Sequence, residues 1–399
     1  VLSILGRAVF WPSKTSKREL KIGLWGRLAD KAIKKPIIVI VLGLLVFGGL
    51  GLGLIGYRAA GFGQQAAPAG SDSAAGQQIV DQHYPKANDN PQLLVFHFNR
   101  SVWNNLQPIV QAQSLLNSSG VFAALSGPFN PNGLSLSPVQ VQQLHGSGNP
   151  LEQSINQFIS SDGKTVQFYG VLKAGPSGTV AAMRATPEVT GRLQSVAAKV
   201  GADKASDYSA DTVAYDINKT TNSDLKRIIP IVLLIIAALL ALLLRSLVAP
   251  WYLIISVGLS YIASLGLSML LFVRVFNQDG INFVLPFLMF VFGMALGEDY
   301  NILVMSRIRE EAHKEKTLFG AITKAIGITG TTVTSAGLIL AGTFSIFGIV
   351  GGNDQAQQIG FGIAFAILLD TFFIRTLLVP SVAAKLGKWN WWPSKLSAK

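Results

Sequence analysis

The stretch INFVLPFLMFVFGMALGEDYNILV, Ile281–Val304, runs straight into Met305-Ser306-Arg307-Ile308-Arg309-Glu310-Glu311, and its reading decides the fold. A helix needs about 20 mostly apolar residues to cross the hydrocarbon of a bilayer. This run supplies them, and its only acids, Glu298 and Asp299, come late. Four other runs meet the same test: Pro36–Tyr57, Ile228–Leu244, Trp251–Val273 and Ile359–Pro380. A sixth, Ala321–Val350, is rich in Gly, Ser and Thr yet apolar enough to span. Core helices of a water-soluble protein are usually shorter and charged along one face.

Composition agrees. Half of the 399 residues are hydrophobic and only 14% are charged, against about a quarter in a soluble chain. Cysteine is absent, which excludes a disulfide framework, a thiolate metal site and a cysteine nucleophile. An exported domain without disulfides fits a bacterial envelope. The net charge of +12 suggests nucleic acid until its distribution is read. Acids and bases nearly balance between Arg58 and Arg227, and the excess sits in short flanks of the apolar runs, a positive-inside pattern. No nucleic-acid-binding motif accompanies it.

Those flanks give the orientation. Lys14, Lys17, Arg18, Lys21, Arg27, Lys31, Lys34 and Lys35 precede the first run, and Arg245–Pro250 joins the second to the third. Arg307, Arg309, Lys314 and Lys316 follow the fourth, and Lys385, Lys388, Lys395 and Lys399 close the chain. Six alternating helices put all four regions on one side, so both termini are expected in the cytoplasm of a multi-pass cell-membrane protein. The Asn277–Gly280 and Gly351–Gln358 loops and the polar segment after the first run fall on the other side. In that segment, Gln92–Phe98 and Thr165–Leu172 read as strands, and Asp72–His83 and Pro187–Val200 as helices, an α/β mixture. Gly127–Pro150 reads as a loop or flap.

The fold expected is therefore a polytopic α-helical membrane protein of six transmembrane helices, one plus five, with an exported α/β, porter-like domain between the first and second. Residues 1–35 form a basic cytoplasmic linker, 36–57 the first transmembrane helix and 58–226 the exported domain. Residues 227–383 form a five-helix bundle, and 384–399 a basic cytoplasmic tail.

An internal repeat bears on the extent of the protein. Leu5-Gly6-Arg7 precedes Phe10-Trp11-Pro12-Ser13-Lys14, and Leu386-Gly387-Lys388 precedes Trp391-Trp392-Pro393-Ser394-Lys395. The second copy follows the last helix. The first is expected to follow one too, which makes the chain the carboxy-terminal half of a longer, duplicated protein.

Gly297-Glu298-Asp299-Tyr300-Asn301 with Arg307-Ile308-Arg309-Glu310-Glu311 resembles the mycobacterial membrane protein large (MmpL, MMPL) family of the resistance–nodulation–division superfamily. Arg245-Ser246-Leu247-Val248-Ala249-Pro250, Leu369–Ser381 and Trp391-Trp392-Pro393 carry the same resemblance. It implies two fused repeats, of which this chain matches one, and proton-driven export of lipids or other hydrophobic compounds. It also implies that Asp299 and Tyr300 belong to a proton relay, and that an upstream homologous half or a second copy of the chain is the partner. Protons are then the coupling ion, and no cofactor or metal is expected. A protein-export accessory resembling the SecD/SecF pair, and a non-transporting scaffold or sensor for envelope assembly, stay open as alternatives.

The residues alone single out Asp299, because a carboxylate within a membrane helix costs at least a few kcal/mol and is rarely there without a role. Tyr300 offers a hydroxyl that can donate to it. Glu298 points about 100° away around the helix and reads as a second relay acid or a side chain reaching for the cytoplasmic face. Thr331 and Ser335, in a hydroxyl-rich fifth helix, read as contacts of the Asp299 pair or as packing. Asp370, five residues before Arg375, reads as a relay or packing partner, more simply as half of a cytoplasmic-face ion pair. The glycines of the first helix suggest tight packing or flexibility near the exported domain. There is no GxxxxGK[ST] loop for ATP, no GxSxG elbow and no metal-ligand spacing among the histidines, so no enzyme is expected.

Overall fold

The computed structural model describes residues 24–61, 71–83, 91–315 and 317–394. The leading copy of the repeat, Leu5–Lys14, lies outside the described residues, as do Lys17, Arg18, Lys21, Lys316, Lys395 and Lys399.

Six helices are long and apolar enough to cross a membrane. One lies before a four-stranded sheet in the chain and five lie after it. Large apolar side chains stand exposed around them, among them Leu242 at 75% and Val350 at 76%. Such faces are stable against lipid tails, where burial from water is not at stake.

Helix α1, Leu24–Lys34, occupies the end of the segment read from sequence as a linker. It is amphipathic: Gly26, Ala29, Ala32 and Ile33 are buried, while Arg27 and Lys31 are exposed. Pro36 opens α2, Pro36–Gly51, where its missing N–H leaves no bond unmade. A 3-10 turn at Leu52–Leu54 prolongs α2. Strand β1, Ala59–Ala60, and helix α3, Asp72–His83, follow.

The sheet is built from β2 (Gln92–His97), β3 (Phe122–Ser126), β4 (Thr165–Leu172) and β5 (Lys204–Tyr208), in the order β3-β4-β2-β5 and antiparallel throughout. Helix α4, Gln107–Asn117, links β2 to β3, and α7, Val180–Val200, links β4 to β5. This is the βαββαβ split arrangement. Alternation along β4 sends Val166, Phe168, Gly170 and Leu172 inward, where Phe168 meets Phe96 edge-on at 5.8 Å. Between β3 and β4 the expected loop carries one short helix, α5 (Pro138–Leu144), and a second, α6 (Pro150–Asn156), begins where it ends.

Helix α8, Ala210–Leu244, leaves the sheet and continues as the second span without a break. A domain boundary at 226 therefore falls inside one continuous helix of 35 residues that carries Pro230 in its interior, about 52 Å long at 1.5 Å per residue. Its first turn holds Asp211, buried, which accepts from Gln92 Nε2 (3.2 Å), Ser177 Oγ (2.8 Å) and the Gly178 amide (2.8 Å). The Gly175–Thr179 turn is thus committed to the base of α8.

The bundle continues with α9 (Ala249–Met269, then a π-helical turn to Val275), α10 (Leu285–Lys314) and α11 (Leu318–Val350). It ends with α12 (Asp354–Leu369), which passes through a π-helical segment, Asp370–Leu378, into α13 (Val379–Leu386). Helix α10 runs on past its apolar stretch through Glu310 and Glu311 to Lys314. Strand β6, Ile281–Asn282, pairs in parallel with β1, so the loop after α9 is tied to the chain leaving α2. The last span is the most buried, with 67% of its apolar window inside the protein against 11% for α2 and α8.

Glycines set the closest approaches. A Cβ on Gly53 would overlap the Gly266 carbonyl, and one on Gly266 would overlap the Leu50 carbonyl, so α2 and α9 cross backbone to backbone. Gly48 and Gly49 face open space, so only the outer part of the glycine run packs here. At the other end, Trp391 is buried, Leu247 N bonds Trp392 O (2.8 Å), and Ser246 Oγ bonds Asn390 O (2.7 Å). The closing Trp-Trp-Pro element is packed onto the 245–250 turn.

Candidate intramembrane charge cluster

Helix α10 buries Gly297, Glu298, Asn301, Val304, Met305, Ile308 and Glu311. The spacing of three and four is the inward stripe of a 3.6-residue helix. Glu298 and Asn301 lie on it. Asp299, one residue off, lies on the exposed face. Glu298 is 5% exposed and Asn301 1%.

Across from them the π-helical segment contributes Asp370 and Arg375, an ion pair whose side chains are 8% and 3% exposed. In an α-helix, residues five apart point about 140° from each other. The i→i+5 bonding of a π-helix brings them one above the other. The pair is buried inside the bundle. The guanidinium also donates from Nη2 to the Leu296 carbonyl (2.9 Å) and lies over the Tyr300 ring, 4.4 Å from its centroid. Arg375 thus joins α10 to the last span by a cation–π contact and a hydrogen bond.

Glu298 is within electrostatic reach of both Asp370 and Arg375. The Asn301 amide lies beside the Glu298 carboxylate, outside good hydrogen-bond geometry. Thr371 packs its hydroxyl against Gly337 of α11, where a Cβ would sit 2.6 Å from it. Thr331 and Ser335 are exposed on α11, and among the described residues neither is hydrogen-bonded to Asp299 or Tyr300. Other hydroxyls of that helix serve their own backbone: Thr329 donates to Ala325 O and Thr334 to Gly330 O. Of the residues singled out by sequence, Tyr300, Glu298 and Asp370 come together, while Asp299, Thr331 and Ser335 look outward. Arg375 as the hub and Asn301 as a member were missed. The i, i+3 spacing of Glu298 and Asn301 was a usable signal for the second.

Toward the carboxy-terminal end of α10 a separate network closes it against α11. Buried Glu311 pairs with Arg307 (3.1 Å) and Lys324 (3.0 Å), and Lys324 also reaches Glu315 (3.0 Å). Of the basic flank after the fourth span, Arg307 belongs to this network, and Lys314 pairs with Glu310 (2.5 Å).

Six candidate spans enclosing a buried carboxylate–guanidinium cluster define a multi-pass membrane protein with an ionisable interior. The sequence model of the MMPL family matches residues 67–399, and the chain belongs to that family. It is 32% identical over 406 aligned residues to the putative membrane protein ActII-3 of Streptomyces coelicolor, covering 100% of this chain and 50% of the relative. It is 34% identical to the apo-petrobactin exporter of Bacillus anthracis over 70% of this chain and 39% of the relative. It is also 34% identical to the sulfolipid-1 exporter MmpL8 of Mycobacterium tuberculosis, over 64% and 23%. The chain spans about half the length, or less, of these curated relatives.

Proposed function

We propose that this chain is one half of a secondary exporter, driven by the proton-motive force, that moves lipids or other hydrophobic compounds across the cytoplasmic membrane. The observation that carries the reading is Asp299, an ionisable side chain on the outward face of a membrane-spanning helix. A charge there is costly against lipid, so the face calls for a protein cover, and an upstream homologous half or a second copy would supply it. In this reading Asp299 takes up and releases the proton with Tyr300 as its relay partner, and Thr331 and Ser335 line the same interface. Asp370 holds Arg375 against Tyr300, so a change at Asp299 reaches the last span.

The sheet domain between the first and second spans is read as the exported α/β domain of a one-plus-five arrangement, with both termini in the cytoplasm. Helix α8 is the mechanical link, since its base is fixed at Asp211 and its body crosses the membrane. Substrate chemistry is carried over from relatives named as exporters of sulfolipid-1 and of apo-petrobactin.

The test is release of a fluorescent lipid from vesicles bearing the chain alone, or the chain with its upstream half, with the proton gradient present or collapsed by a protonophore. Release that needs the gradient supports the proposal, and activity of the chain alone would assign the partner role to a second copy. Release that survives collapse of the gradient would contradict it.

A further inference from the structure

Asp299 does not use up the ionisable chemistry of α10. Glu298 is buried beside it in sequence but faces the other way, into the bundle. The interior it faces holds two carboxylates and one guanidinium: Glu298, Asp370 and Arg375. Asp370 and Arg375 form an ion pair with each other and compensate each other's charge. An ionised Glu298 would then leave the cluster with a net charge of −1 in a low-dielectric setting, the arrangement a protein interior tolerates least. A proton on Glu298 brings the cluster to zero.

Among the described residues, the other charges on the surrounding helices are few and engaged or turned away. The α-helical part of α9, Ala249–Met269, contains no Asp, Glu, Lys, Arg or His, and Arg274 in its π-helical turn is exposed and donates to the Ile55 carbonyl (3.4 Å). Helix α2 and the apolar part of α8, Ile228–Leu244, contain none, and Asp354 of α12 is exposed in its first turn. The only charged residue of α11, Lys324, is bound to Glu311 and Glu315. The tyrosines of α9 are engaged elsewhere, Tyr252 on Asn390 (2.9 Å) and Tyr261 against Phe290. On α10 itself, Asp299 is exposed and Tyr300 is covered by Arg375. A second observation points the same way: Asn301, 1% exposed, has both amide atoms without a hydrogen-bond partner and lies beside the Glu298 carboxylate. It offers an acceptor to a protonated Glu298 and a donor to an ionised one. Arg307, the first base on α10 beyond the cluster, is nine residues on, about 14 Å along the helix.

We propose that Glu298 is a second proton-binding site, internal to this half and separate from Asp299, with Asp370 and Arg375 as its fixed counter-charges and Asn301 as its hydrogen-bond partner. The step is a proton transfer from water or a neighbouring acid to a Glu298 carboxylate oxygen, which takes the cluster from −1 to neutral. Asp370 is a positioning residue: by occupying Arg375 it keeps that cation from neutralising Glu298. The inference rests on reading the chain as proton-coupled only for its purpose, and its test does not require transport.

The test is infrared difference spectroscopy of the full chain in lipid vesicles, titrated through neutral pH, following the C=O band of protonated carboxylic acids. The expected result is a band that Asp299→Asn leaves in place and Glu298→Gln abolishes. Glu298→Asp keeps the acid and should retain the band at a shifted frequency, which separates loss of the group from loss of the fold. Asp370→Asn frees Arg375 to pair with Glu298, and the band at neutral pH should disappear although Glu298 is present. A spectrum unchanged in Glu298→Gln, or a band lost entirely in Asp299→Asn, would overturn the proposal. If Asp299→Asn transports normally while Glu298→Gln loses its band, the reading of Asp299 fails and this site stands.

Discussion

Glu298 and Asp299 are adjacent in the chain and live in different surroundings, because one helical step of about 100° carries the second off the buried stripe of α10. Asp211 shows what a carboxylate does when it is fully engaged instead. It accepts three hydrogen bonds, from Gln92, Ser177 and Gly178, at the start of the rod that enters the membrane. Asp211→Ala would strand these buried donors, and hydrogen bonds to a charged group contribute roughly 1.5–3 kcal/mol each at most. We expect a loss of about 3 kcal/mol, seen as a lowered melting temperature of the purified protein, with Asp211→Asn less affected. An unchanged melting temperature would show that the hub is not structural. Of the candidate site, Asp299, Glu298 and Asp370 stood out in the sequence from the rarity of acids in apolar runs, and Tyr300 from the family resemblance and its place beside Asp299. Their orientation was not, because a single acid says nothing about which way its helix is turned. The buried stripe says it, once Asn301, Met305 and Ile308 are read as one face with Glu298.

Elements were legible to the degree that their period was simple. Thr165–Leu172 alternates cleanly and forms a strand with those bounds, and Asp72–His83 forms a helix with those bounds. Helix α8 was not read as one element because its polar start and apolar end look like domain and membrane, while the backbone continues through both. The π-helical winding at Asp370–Leu378 leaves no mark in an α-helical periodicity, so the buried pairing of Asp370 with Arg375 could not be placed from the sequence. The crossing of α2 and α9 was visible only as a run of glycines, and of these Gly51 and Gly53 meet Gly266. Gly266→Ala should force the two backbones apart. Overpacking of this kind costs about 1–3 kcal/mol, and the expected outcome is reduced yield and thermal stability in detergent. Gly49→Ala, which faces open space, serves as the control and should behave like the wild type. Equal behaviour of the two variants would mean that the helices do not depend on this contact.

For the whole molecule, the arrangement joins a charge cluster inside the bundle to a sheet domain through three connections. These are the continuous α8, the β1–β6 pairing and the Asp279 contact to the amide of Val180 (3.4 Å). In the proposed mechanism, a change in protonation at α10 would act on Arg375 through its contact with Tyr300 and hence on the most buried span. Motion of that kind has a short route to the domain, because Gln358 of the same span bonds the Asn282 amide (2.6 Å) in β6. The account stands or falls on Asp299 as the residue that couples protons to substrate. The decisive measurement is proton flux into dye-loaded vesicles when a gradient of hydrophobic substrate is imposed, comparing the wild type with Asp299→Asn at equal insertion. The account predicts substrate-driven proton movement in the wild type and its loss, to the level of empty vesicles, in the variant. Proton movement in Asp299→Asn equal to that of the wild type would contradict it.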